Sequence, residues 1–273
     1  MKKRVKEPIQ PKLRLRDRRR KMLQIKIAVA TLAVFLLLGG LFFLVRIPEV
    51  TISKIEVTGT SLADASLIQR IAEEQIAGSY GFLIPKRNVL FVPSSEIARA
   101  ISDTFPIVKE AKVSHTSLTS ISVAVSERTP VALWCAKNTE EIFGTCYFTD
   151  ETGFIYMVAD SADAYVRYSG EIESEPVGAL FLSGKFPALH SFVGETAKTL
   201  GRTAEAVYVE PNADVALSFV GGGELKFVMS EDATSTLDNI ASVFASQKLK
   251  GRTDFEYADF RFGNKVYVKF KGE

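Results

Sequence analysis

The strongest pattern along the chain is a stretch with no charge at all. Nineteen consecutive residues, Ile27 to Val45, are uncharged and read IAVATLAVFLLLGGLFFLV. A core helix normally keeps a polar stripe, and this one would be apolar on every face. As a helix it is about 28 Å long, close to the hydrocarbon thickness of a bilayer. The pattern predicts a membrane span. A cleaved signal peptide fits less well, because its apolar region runs to about 7 to 15 residues and ends on small side chains. This run ends Phe-Phe-Leu-Val-Arg-Ile-Pro (42–48).

Past a connector at 46–51, where Pro48 stops the helix, the period changes. Residues 52–60 carry Ile52, Ile55 and Val57 between polar neighbours and stop at Gly59, which reads as a strand and turn. From Asp64, a candidate cap, Leu67, Ile68, Ile71, Ala72, Gln75 and Ile76 recur at helical spacing until Gly78. Residues 79–92 read as a loop. Ser94, Ile97, Ile101 and Phe105 mark a second helix, closed by Pro106. Two alternating stretches follow, 108–117 and 120–128. Strand, helix, loop, helix, strand, strand is the order of a small mixed sheet with two helices on one face.

From Pro130 onward strands dominate. VALWCA, CYFTD, GFIYMVA and ALFLSG read as strands, and 160–178 as an acidic loop. A helix is predicted over 187–201. Three strands follow (AVYVEP, DVALSFVG, GELKFVMS), with turns at Pro211-Asn212 and Gly221–Gly223. A last helix carries Leu237, Ile240, Ala241, Phe244 and Leu249 inward and ends at Gly251. FEYADFRF and KVYVKF close the chain around Gly263-Asn264. The fold class is α+β: one N-terminal transmembrane helix, a mixed sheet with two helices, and a β-rich part with one or two more.

Charge orients this arrangement. Residues 1–26 hold twelve Lys or Arg against Glu7 and Asp17, a net of +10, so the remainder carries 2 − 10 = −8. Basic flanks stay inside, and only Arg46 lies just past the span. The reading is a single-pass cell-membrane protein with a cytoplasmic tail and 46–273 outside. The tail has no interleaved aromatics and abuts the span, so topology and anionic lipid account for it without nucleic acid.

Catalytic patterns are absent from the sequence. It has only two histidines, His115 and His190. There is no zinc-ligand spacing, phosphate-binding glycine loop or nucleophile motif. The Glu73-Glu74 and Glu140-Glu141 pairs read as solvated surface. No enzyme activity, cofactor, metal or small-molecule substrate is expected. Cys135 and Cys146 flank ten residues between two strands, in a compartment that permits disulfides. A cross-strand disulfide and two reduced buried thiols both remain open.

Several strings resemble the FtsQ/DivIB cell-division family of bacteria. They are Ile55-Glu56-Val57-Thr58-Gly59, Phe105-Pro106-Ile107-Val108 with Ala111-Lys112-Val113, and Glu127-Arg128-Thr129-Pro130-Val131-Ala132-Leu133-Trp134. The turn Thr149-Asp150-Glu151-Thr152-Gly153-Phe154-Ile155 and the strand Asp259-Phe260-Arg261-Phe262 add to them. The resemblance implies five parts: a basic cytoplasmic tail (1–26), a transmembrane helix (27–45), a connector (46–51), a POTRA-like domain (52–129) and a β-rich FtsQ-type domain (130–273). It implies a non-enzymatic divisome scaffold at the septum that holds FtsB/DivIC-like and FtsL-like partners and bears on septal peptidoglycan synthesis.

A terminal strand at a sheet edge can accept a partner strand. On that reading Val266, Tyr267, Val268 and Phe270 form the edge, Arg261 pairs with a partner acid, and Phe262 and Tyr267 fill apolar contacts. The competing reading leaves Arg261 solvating a sheet face and the last strand already paired on both sides. Recruitment through the POTRA-like unit would use Lys109–Ser117 or Ile52–Gly59. Two other functions stay in play: a membrane-anchored extracytoplasmic enzyme, and another POTRA-bearing assembly factor.

Overall fold

A computed structural model of the chain describes residues 15–81, 83–136, 144–160, 164–229, 233–246, 249, 254–263 and 265–272. The tail up to Arg14, the acidic pair Glu140-Glu141, the helix stop at Gly251 and turn residue Asn264 lie outside them. The fold is α+β, with five α-helices and mixed sheets among the described residues. Helix α1 (Leu15–Leu44) is long and apolar enough to cross a membrane, and none of its apolar stretch is buried against protein.

The chain divides into two compact units. The first comprises Met1–Thr58, Ala65–Ala98 and Lys112–Ala124; the second comprises Gly59–Asp64, Arg99–Ala111 and Val125–Glu273. Helix α3 (Ser94–Thr104) and strands β4 (Val108–Ser117) and β5 (Ser120–Glu127) run from one into the other.

In the first unit, β1 (Lys54–Thr58) runs parallel to β5, with Ile55 opposite Ile121 and Val57 opposite Val123. Strand β5 lies between β1 and β4. Helix α2 (Ala65–Gln75) turns Ile68, Ile71 and Ala72 inward, following its 3.6-residue period. With Ile52, Ile76, Ile97, Ile121 and Val123 they make an aliphatic core. The stretch read as a loop holds a small hairpin, β2 (Ser79–Tyr80) with β3 (Ile84–Pro85). Beyond it, buried Asn88 donates from Nδ2 to the Val45 carbonyl at 2.8 Å and accepts from Leu90 N at 3.0 Å. It thereby satisfies a carbonyl that the end of α1 leaves without a helical partner.

The second unit is built on a nine-stranded mixed sheet. Its strands are β6 (Ala132–Cys135), β7 (Cys146–Thr149), β8 (Ile155–Val158), β9 (Arg167–Ser169), β10 (Ala204–Val209), β11 (Asp214–Phe219), β12 (Glu224–Val228), β13 (Phe255–Phe262) and β14 (Lys265–Phe270). They lie in the order β14-β13-β12-β11-β10-β9-β6-β7-β8. Helix α4 (Phe186–Leu200) packs Phe186, Leu189, Phe192 and Val193 into the sheet's core and ends at Gly201, which adopts the left-handed conformation. Helix α5 (Ala233–Ala245) contributes Ile240, with Leu237, Val243 and Phe244 packed at its side.

Two expectations are corrected here. Residues 179–184 are not a strand; a single bridge, Phe154 to Leu180, is all the pairing they make among the described residues, before the chain turns into α4. Conversely, the stretch read as a loop at 160–178 contains β9. It pairs in parallel with β6 on one side and β10 on the other, and so joins the two halves of the sheet. Three residues carry too little periodicity to announce a strand, and both partners are distant in sequence.

Candidate functional site

One cluster in the second unit draws together residues that carried the family resemblance. The Asp150 side chain is fully buried. Its Oδ1 accepts from Thr152 N (2.8 Å), Thr152 Oγ1 (2.6 Å) and Phe154 N (3.1 Å), closing a tight Asx turn. Gly153 follows at φ +88°, and a Cβ there would lie 2.5 Å from the Phe181 carbonyl oxygen, so both conformation and space call for glycine. The Arg128 guanidinium caps the turn. It donates to Asp150 Oδ2 through Nη1, reaches Pro106 O through Nε at 3.0 Å and lies 4.0 Å over the Phe154 ring. Burial pushes the Asp150 pKa up, but the Thr152 donors, Arg128 and Phe154 N outweigh it and hold the carboxyl below its usual range.

The neighbouring Glu127 is equally committed. Its carboxylate accepts from three successive backbone groups, Ser61 N, Leu62 N and Ala63 N, at 2.8 to 2.9 Å through Oε1. Desolvation opposes ionisation there, and the N–H groups of Ala63, Ser61 and Leu62 prevail, so the pKa is lowered. Glu127, Arg128, Asp150 and Gly153 therefore hold the backbone together.

The C-terminal hairpin is different. Strand β14 lies at the end of the sheet, and among the described residues no strand pairs its outer side. Its backbone alternation sends Val266, Val268 and Phe270 against the core, while Tyr267 points outward. Tyr267 is 52% exposed and Phe262 56% exposed. Their rings meet edge to face, with centroids 5.4 Å apart. Exposed neighbouring aromatics on an open edge are a chemistry suited to protein contact.

Arg261 does not stand free for a partner acid. Its Nε and Nη2 donate to the Asp259 carboxylate at 3.0 and 2.7 Å, and its Nη1 donates to Asp214 Oδ2 at 2.6 Å. The Arg261 hydrogen bonds hold the Asp259 carboxyl below its usual range against the effect of burial. Register explains the reach. Asp214 faces Val228, and Lys226 faces Asp259, so Arg261 falls in one row with Val228 and Asp214 across three strands. Sequence reading missed Asp214, because its nearness to Arg261 arises only from the order of β11, β12 and β13. Likewise Val266, Val268 and Phe270 leave only their backbone to the open edge.

Cys135 and Cys146 face each other across β6 and β7 and form a disulfide, with Cα atoms 4.0 Å apart. An open groove of about 630 Å³ between α4 and the β9–β10 side of the sheet is lined by Arg167, His190, Arg202 and Glu205, among others. Arg167 holds Glu205 at 2.7 Å, and His190 Nδ1 lies 2.8 Å from the Tyr168 hydroxyl, so Arg167, Glu205 and His190 each have a structural partner. Among the described residues no group of three His, Cys, Asp or Glu could hold a metal ion. Compared with known proteins, the sequence matches no family model and no curated protein.

Proposed function

We propose that this chain is a bitopic division scaffold of the FtsQ/DivIB kind, with its basic tail in the cytoplasm and its two folded units outside. It would act at the septum by holding FtsB/DivIC-like and FtsL-like single-pass partners and would bear on septal peptidoglycan synthesis without chemistry of its own. One observation carries the reading. A helix long and apolar enough to span a membrane is joined to a sheet whose edge strand, β14, is unpaired on its outer side among the described residues, and the exposed rings of Phe262 on β13 and Tyr267 on β14 meet beside that edge. An added partner strand would pair with the outer backbone groups of β14, and Phe262 and Tyr267 would be covered. The motif strings that resemble the family add support, and the POTRA-like description of β1, α2, α3, β4 and β5 belongs to the same proposal.

Photo-crosslinking from Tyr267 and Lys265 in dividing cells tests it. The reading expects adducts with small single-pass division proteins, and septation that fails when the chain is depleted. Normal septation after depletion, with no adduct from either position, would sink it.

A further inference from the structure

The end of α1 is tied to the first folded unit by several bonds. Asn88 donates to the Val45 carbonyl, the last residue of the uncharged run, at 2.8 Å. Arg46, the first charged residue beyond it, donates from Nη2 to the Leu83 carbonyl at 3.3 Å and lies 4.1 Å over the Phe42 ring. Val89 N donates to Val50 O at 2.9 Å, and Ile52 N to Arg87 O at 2.8 Å. The segment around β2 and β3 is therefore fixed at the depth where the span ends.

That segment is unusually apolar where it faces solvent. Leu90 is 80% exposed and Leu83 62%, with Tyr80 and Phe91 also exposed. Isolated apolar residues on a surface are ordinary, but these sit around one helix end, continuous with a surface that faces lipid if α1 spans. Aromatic and amphipathic side chains favour that boundary. Arg46 reaching past Phe42 is a cation at the end of a span with its stem along apolar surface.

The geometry points to a second membrane contact: Tyr80, Leu83, Leu90 and Phe91 dock into the headgroup–acyl boundary beside the exit of α1 and set the folded unit against the bilayer. The inference rests on the reading that α1 spans a membrane. The apolar side chains are taken as the driving feature: Lys86 is paired with Glu96 at 3.6 Å and Arg46 lies against the Phe42 ring, which leaves Arg87 as the further cation of the segment. Docking should accordingly occur in neutral lipid.

The test uses the full chain in phosphatidylcholine vesicles, with and without phosphatidylglycerol, and brominated lipid as quencher. The native chain has one tryptophan, the buried Trp134, which sets the baseline. Leu90→Trp and Leu83→Trp should be quenched about two-fold and shifted to the blue in both lipids. Thr58→Trp, at an exposed position on the far end of β1, a strand about 17 Å long, should stay at baseline. Phe43→Trp, within α1, reports the anchor. Quenched Phe43→Trp with Leu90→Trp and Leu83→Trp no different from Thr58→Trp overturns the docking alone. Unquenched Phe43→Trp overturns the anchor and the docking with it. Quenching that appears only with phosphatidylglycerol overturns apolar docking in favour of charge attraction.

Discussion

Arg261 on β13 reaches over β12 to bond Asp214 on β11 at 2.6 Å, while the rest of its guanidinium clamps Asp259. One side chain thus straps three strands at the outer end of the sheet. The strap has its own partners, and the surface proposed for partner binding lies beside it, in Phe262 and Tyr267.

The two roles separate under mutation. Arg261→Glu puts three carboxylates together and should cost about 1 to 2 kcal/mol in urea denaturation of the detergent-solubilised chain. Phe262→Ala and Tyr267→Ala should each leave stability within about 0.5 kcal/mol. Either should weaken partner capture about tenfold or more. Full capture by a folded Phe262→Ala, Tyr267→Ala double variant would contradict the assignment.

The Arg128–Asp150 pair should behave as a buried one. Arg128→Met strands a buried carboxylate and should cost about 3 to 5 kcal/mol. Adding Asp150→Asn should return part of that loss, because no unpaired charge then remains. Strict additivity of the two changes in a denaturation cycle would show that the pair is not coupled.

Reduction of Cys135–Cys146 should lower stability by about 2 to 3 kcal/mol, the scale for closing a loop of this length. Cys135→Ala with Cys146→Ala should match the reduced native chain. Urea midpoints with and without dithiothreitol give the comparison, and an unchanged midpoint would count against the bond.

Stability should fall with acid in two windows. Burial lowers the His190 pKa from 6.5, so the unfolded chain takes up a proton there before the folded one does. Its contribution is complete above about 6.5 and is lost as pH falls through the lower folded value. Asp150, Glu127 and Asp259 are also lowered, and their contributions persist until pH drops below the usual carboxylate values near 4. Melting temperature followed from pH 8 to 3 should show both steps. His190→Asn should flatten the upper one; an unaltered upper step would remove His190 as its source.

Much of the fold is legible in the chain because its signals are local. The uncharged run at 27–45 needs no partner to be read as a span-length helix. The periods of 3.6 and 2 mark α2, α3, α4, β4 and β5, because a face that must be buried repeats at the period of its own backbone. The C-terminal hairpin announces itself by two β-rich runs around Gly263.

Tertiary structure decided what depends on distant neighbours. Strand β9 exists because β6 and β10 pair with it from either side, and three residues hold no periodicity to say so. The β13–β12–β11 order gives Arg261 its second acid, Asp214, and a period of 2 turns Val266, Val268 and Phe270 toward the core while Tyr267 faces out. Asn88 is a loop residue in the sequence. Only the folded chain brings its amide to the Val45 carbonyl, a group that the helix end leaves without a partner and that a buried polar side chain can satisfy.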